Sequence, residues 1–248
     1  MESDQTPETE RGTAPLTILV MVAHPDDIDF GNGGSVATWT DAGHRVVYCL
    51  ITDGDAGGFD EEVSRTDMAT LRREEQQAAG AILGVDEFHF LGWPDGRLYV
   101  THELRRDLAR VIRQVRPDRV VTQSPTRNLR SMYGSHPDHT AAGEAVMCAV
   151  YPDARNPFAH PELLAEEGLA AHTVAEVWIS HMGEGADHYV DTTDAFERKV
   201  DALRAHKSQT AHMDDLSGRM WGWGRSQAKA AEFGEKRLAE GYLVLDTR

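Results

Sequence analysis

Cysteine is scarce in this chain, with two in 248 residues. Both sit in apolar runs, Cys49 within residues 46–51 and Cys148 within residues 145–150. Such placement reads as buried packing, and it excludes a disulfide framework and a cysteine-ligated metal centre. Net positive charge is missing too, since 25 Lys and Arg face 41 Asp and Glu, for a formal charge of −16. Nucleic acid and anionic membranes both require basic patches, so neither is expected as a partner. No apolar run approaches the roughly 20 residues needed to span a bilayer, which excludes membrane insertion. The acidic, polar first fourteen residues lack the basic start and apolar centre of a signal peptide. These absences leave the cytoplasm as the expected location.

What is present is an ordinary globular composition, 40% hydrophobic and 27% charged, in a length that suits an α/β domain with a substantial core. Residues 16–22 form a continuous apolar run of strand length, and residues 45–52 read as a second strand. Shorter strands are expected at 87–91, 119–122, 174–180 and 188–190. Helical periodicity covers 65–83, ended by Gly84, and 103–114, stopped by Pro117. Further helices are expected from Gly31–Gly34 to near Gly43, from His136 to Val150, and over 193–205. This alternation predicts an α/β fold, Rossmann-like and doubly wound, with a mostly parallel sheet flanked by helices. There is no internal repeat or linker, so one domain over 15–248 is expected after a disordered tail, 1–14. From about 208 the chain is rich in Trp, Gly, Arg and Ala.

Two segments carry the chemistry, His24-Pro25-Asp26-Asp27 and His136-Pro137-Asp138-His139. The first follows a strand directly, and in open α/β sheets the ligand crevice lies at the carboxyl ends of the strands. The second opens a helix, where proline and an early aspartate are favoured and where His136 and His139 would share a face. Together they hold three histidines and three carboxylates. Catalytic zinc takes three such ligands and leaves a place for water, so the pair offers a ligand set with an acid or base to spare. Neighbouring carboxylates cannot point the same way, so one of Asp26 and Asp27 can bind metal while the other stays free. A plain helix cap explains one aspartate, but not a histidine and two acids at a strand end.

With these residues the chain resembles the LmbE-like, or PIG-L-type, zinc N-acetylglucosamine deacetylases. Further support comes from Thr52-Asp53-Gly54-Asp55, the Arg72/Glu75 pair before Leu83-Gly84, Leu91-Gly92-Trp93-Pro94-Asp95-Gly96, and Lys199 to His206-Lys207-Ser208-Gln209. The resemblance spans most of residues 16–209, and the last forty residues match poorly. It implies a cytoplasmic hydrolase that removes an N-acetyl group from a small amino-sugar or glycoconjugate substrate, with Zn2+ as cofactor. It implies that His24, Asp27 and His139 bind the metal, that Asp26 is the general base, and that His136 stabilises the oxyanion. Asp138 would support a histidine from behind. Arg72 and Asp95 match sugar-contacting positions, although helix charge and turn composition explain them equally well. Tyr133 lies one residue from the place of a family tyrosine that helps bind the carbonyl. Relatives are often oligomeric, so a homo-oligomer is a further expectation.

Three other readings compete. A larger amide, such as a mycothiol S-conjugate, would use the same machinery. A nucleotide site at Gly31-Asn32-Gly33-Gly34 lacks the dinucleotide spacing and the acidic ribose partner. A non-catalytic zinc or sugar binder would need neither a base nor an oxyanion donor.

Overall fold

The computed structural model describes residues 14–129, 132, 135–180 and 185–248. The expected N-terminal tail, Tyr133 and His181 therefore lie outside the described residues, apart from Ala14.

Five parallel strands form the body of the sheet: β1 (Thr17–Val22), β2 (Arg45–Thr52), β3 (Glu87–Trp93), β4 (Arg119–Thr122) and β5 (Glu176–Ser180). Two more complete it, β6 (His188–Asp191) and β7 (Ala239–Asp246), in the order β3-β2-β1-β4-β5-β7-β6. Strand β7 runs antiparallel between β5 and β6. The helices are α1 (Asp27–Asp41), α2 (Arg65–Leu83), α3 (His102–Val115), α4 (Pro137–Cys148), α5 (Pro161–Ala165), α6 (Phe196–Ala205), α7 (Lys207–Thr210) and α8 (Leu216–Ala230).

Strand side chains alternate between faces, and the core divides accordingly. Leu19, Met21, Val47, Cys49 and Ile51 pack with Leu108, Ile112 and Val146 of α3 and α4 on one face. Ile18, Val20, Val22, Tyr48 and Leu50 pack with Trp39, Leu83 and Ala202 of α1, α2 and α6 on the other. Strands buried on both faces need no polar alternation, which is why β1 reads as one apolar run. Chain order reverses between β1 and β4, and such a switch point is where ligands bind in open α/β sheets. Ile18 to Met21 align with Arg119 to Thr122, so the loops that follow β1 and β4 emerge side by side.

Two local expectations differ from the structure. The Gly31–Gly34 run lies inside α1, which begins at Asp27. Gly34 is needed there for close approach, because a Cβ would come within 2.6 Å of Thr192 Cβ. Cys148, at the end of α4, is only half-buried, although Cys49 is fully buried and burial pushes its thiol pKa up. The C-terminal segment supplies β7, which brings Glu240 onto α1. The Gly34 and Ser35 amides donate to its two oxygens at 3.0 and 2.7 Å, and Lys199 Nζ donates to Oε1 at 2.5 Å and to the Phe30 carbonyl at 2.8 Å.

Removing one member of a buried, fully bonded ion pair leaves an uncompensated charge. We expect Glu240→Ala to lower unfolding stability by about 3–5 kcal/mol, measured by urea denaturation.

Candidate metal and catalytic site

The βα turn after β1 has an uncommon backbone. Asp26 lies in the left-handed region, with φ 85° and ψ −28°, immediately before α1. The reversal sends the side chains of Asp26 and Asp27 to different partners. Asp27 turns back on its own loop, where Oδ2 accepts the His24 amide at 2.8 Å and lies 3.2 Å from His24 Nδ1. Its other oxygen is 3.0 Å from His139 Nε2, and His24 Nδ1 is 3.2 Å from the same nitrogen. Two imidazole nitrogens and a carboxylate thus stand 3.0–3.2 Å apart in every pairing. Tetrahedral zinc with bonds of about 2.0–2.1 Å separates its ligand atoms by about 3.3–3.4 Å. The donor set fits such an ion with little movement.

His24 is held from its other edge as well. Its Nε2 is 3.1 Å from Asp95 Oδ1 and 3.4 Å from Asp138 Oδ2. Both carboxylates are anchored by backbone amides. Asp138 accepts from Gly96 and Leu98 at 2.7 and 3.2 Å, and Asp95 accepts from Ala56 at 3.1 Å. A carboxylate behind a histidine fixes the ring's tautomer and orientation and raises its basicity as a ligand.

His136 departs from the expected shared helix face, because it is the N-cap of α4 and not its first turn. Its Nδ1 accepts from the Asp138 amide at 3.2 Å. In the neutral ring the proton then sits on Nε2, which is a donor. The His136 ring lies 4.9 Å from that of His24 and 5.3 Å from that of His139, centre to centre. A nitrogen from each of these three histidines falls within 4.8 Å of the others.

Asp26 faces Arg72, whose Nη2 is 3.1 Å from its Oδ2 and also donates to the Pro25 carbonyl. Arg72 Nη1 donates to the Gly54 carbonyl at 3.0 Å. The glycines of this loop close around the guanidinium, since a Cβ at Gly54 would meet Nη1 at 2.2 Å. Arg72 is 4% exposed, and its Nε is buried without a partner among the described residues. This guanidinium, at a position that the resemblance matches to a sugar contact, is engaged here by Asp26, Pro25 and Gly54. Asp95 is buried as well, bonded to His24 and to the Ala56 amide.

The charges differ sharply within this small volume. Burial and the neighbouring Asp27 push Asp26 up to about 6, against the pull of Arg72. Burial also opposes ionisation of Asp27, but the facing His139 and His24 outweigh it and hold the carboxyl well below its usual range. His24 is disfavoured by burial, yet Asp27, Asp138 and Asp95 raise it well above an ordinary histidine. His136 is pushed down by burial and by the other two rings. One acid is thus firmly ionised beside another poised to exchange a proton, and such separation marks functional sites.

Sequence reasoning left His206 unassigned, and the structure buries it fully behind this turn, with Nε2 2.8 Å from Asp29 Oδ2. Gln76 was not singled out, and its side chain accepts from the Asp26 amide at 2.9 Å. Glu75 binds the Ser208 amide and hydroxyl at 2.8 and 2.6 Å, which ties α2 to α7. The sequence signals for these partners are the Arg72/Glu75 pair and the His206–Gln209 block, and neither points to Gln76.

Residues 19–150 match the sequence profile of the PIG-L family, described as GlcNAc-PI de-N-acetylase. A diacetylchitobiose deacetylase of Thermococcus kodakarensis is 38% identical over 196 residues, covering 77% of this chain and 69% of that protein. A probable N-acetyl-alpha-D-glucosaminyl L-malate deacetylase 2 of Bacillus cereus is 30% identical over 207 residues, covering 79% and 84%. The N,N'-diacetylchitobiose deacetylase of Pyrococcus horikoshii, solved with an inhibitor, superposes with a TM-score of 0.80 at 30% identity, over 93% of this chain and 84% of that one. The chain belongs to the PIG-L family. Among the described residues no helix is long and apolar enough to cross a membrane.

A ligand that binds only the folded chain stabilises it by about 2.7 kcal/mol at a hundredfold excess over Kd. We expect divalent zinc to raise the Tm with about one ion bound per chain. His24→Ala should lose both the shift and the ion, read by thermal melting and elemental analysis.

Proposed function

We propose that this protein is a metal-dependent hydrolase that removes the N-acetyl group from an amino sugar or a small glycoconjugate, with zinc as its ion. One observation carries the reading: a nitrogen of His24 and one of His139 stand 3.2 Å apart, each 3.0–3.2 Å from one of the two Asp27 carboxylate oxygens, with the separately held carboxylate of Asp26 beside them. The names of the relatives support the bond and the substrate class, since they act on N-acetylated amino sugars.

In this reading His24, Asp27 and His139 hold the ion, and Asp95 and Asp138 keep the His24 ring in place. Bound zinc supplies Lewis acidity, polarising the amide carbonyl and lowering the pKa of water to about 7. Asp26 takes the proton of the attacking water and returns it to the departing amine. Burial makes the Asp26 carboxyl more basic than an ordinary aspartate, which suits a group that must accept a proton. His136, with Nδ1 occupied by the Asp138 amide, donates its Nε2 proton to the oxygen that gains charge during attack. Arg72 keeps the Asp26 carboxylate in place and partly offsets the effect of burial. Atoms balance: water adds across the amide, giving acetate and the free amino sugar.

The reading is tested by amine release from N,N'-diacetylchitobiose, N-acetylglucosaminyl malate and a mycothiol S-conjugate. Activity should be lost to a chelator and restored by zinc, and activity indifferent to the chelator would refute the reading. Asp26→Ala should lower turnover by about 10²–10⁴ while keeping the bound ion. His136→Ala should lower kcat by about 10²–10³ through loss of one oxyanion donor.

A further inference from the structure

Two neighbouring carboxylates with different tasks require the backbone between them to be held in a form few residues adopt. Asp26 occupies the left-handed region and makes no side-chain cap to α1; within the turn its carbonyl accepts from the Phe30 amide at 3.0 Å, which leaves its own N–H to be met from elsewhere. The hold comes from α2. Gln76 Oε1 accepts the Asp26 amide at 2.9 Å, and the other end of the same side chain, Nε2, donates to Asp29 Oδ2 at 2.8 Å. His206 Nε2 donates to that same Asp29 oxygen at 2.8 Å. Gln76, Asp29 and His206 are all fully buried. The amide can be seated only one way round, because the Asp26 N–H needs an acceptor and the Asp29 carboxylate needs a donor. One helical turn earlier, Arg72 grips Pro25 and the Asp26 carboxylate.

We propose that Gln76 is a positioning residue for the reaction, fixing the Asp26 backbone so that its carboxylate faces the scissile amide while Asp27 faces the metal. Asp29 and His206 hold Gln76 in turn, and through them the C-terminal part of the chain bears on the base. The inference rests on the role given to Asp26 above. Gln76 touches neither substrate nor metal ligand side chain and moves no proton. Its loss frees Asp26 to relax out of the left-handed region, which misaims the base and leaves substrate binding alone. Misplacing a reacting group by about 1 Å can cost a hundredfold in rate.

The test uses the zinc-loaded enzyme and N,N'-diacetylchitobiose, with kcat, KM, bound zinc and Tm measured for each variant. Gln76→Leu is expected to lower kcat per zinc-loaded chain by about tenfold or more, with KM within about twofold of the parent. His206→Leu should show a smaller loss in the same parameter, and His206→Gln, whose amide can donate to Asp29, should recover it. A Gln76→Leu enzyme with kcat per bound zinc within about twofold of the parent overturns the proposal, as does a loss accounted for by missing zinc or unfolded chain. Should Gln76→Leu fail to fold, equal kcat in the two His206 variants overturns it instead. Asp26→Ala separates the two readings: normal turnover there removes the assigned base and this inference with it. An inactive Asp26→Ala beside a fully active Gln76→Leu removes only the inference.

Discussion

The imidazole of His24 is gripped along both edges, and the arrangement of the crevice follows from that grip. Nδ1 meets Asp27 and His139, and Nε2 meets Asp95 and Asp138. Three chain segments converge on one ring: the turn after β1, the loop after β3, and the start of α4. Such convergence is available only at the switch point, where β1 and β4 are neighbours and their loops leave the sheet together. A ring held on one edge alone could rotate, whereas partners along both edges fix its orientation.

Concentrating this much charge out of water is costly unless each group has partners. Asp138 has two backbone amides and a ring nitrogen, and Asp95 has an amide and the same ring nitrogen. Asp27 has two rings and an amide. Asp26 is compensated least, with Arg72 opposite a strong burial effect, and its carboxyl is the one lifted toward neutrality. The differences in proton affinity between Asp26 and Asp27 therefore come from which charges face each acid, with hydrogen bonds adding to them, against a burial effect common to both.

Around this centre lies a supporting layer that local patterns do not announce. Helix α2 presents Arg72, Glu75 and Gln76 inward, although its sequence around Arg72-Arg73-Glu74-Glu75 reads as a solvated charged face. Arg73 fits that reading, half-exposed and bidentate to Asp53. Arg72 does not, because its guanidinium fills the hollow formed by Gly54 and the turn after β1. A single α-helix carries charge on all sides here, and only its neighbours decide which charges are buried. The glycines of α1 are a parallel case. They look like a loop by composition, yet they serve as a thin patch of helix against which Thr192 and Glu240 pack.

The order of the main strands and helices as far as α6, the apolar strands of a two-faced parallel sheet, and the two His-Pro segments were legible in the sequence alone; α5, α7, α8 and β7 were not. Each legible feature is a local or periodic signal: a continuous apolar run, a 3.6-residue repeat, or a cluster of ionisable groups at a strand end. Tertiary structure alone decided which partner each ionisable group meets. His206 and Asp29 are 177 positions apart, His24 and His139 are 115 apart, and Glu240 lies 206 from the Gly34 amide it accepts. Such pairings depend on the strand order of the sheet and on an antiparallel β7 inserted near its edge, which nearest-neighbour patterns do not encode. The chain thus declares its reactive groups locally, while their proton affinities and aim are set by contacts that exist only once the sheet has closed.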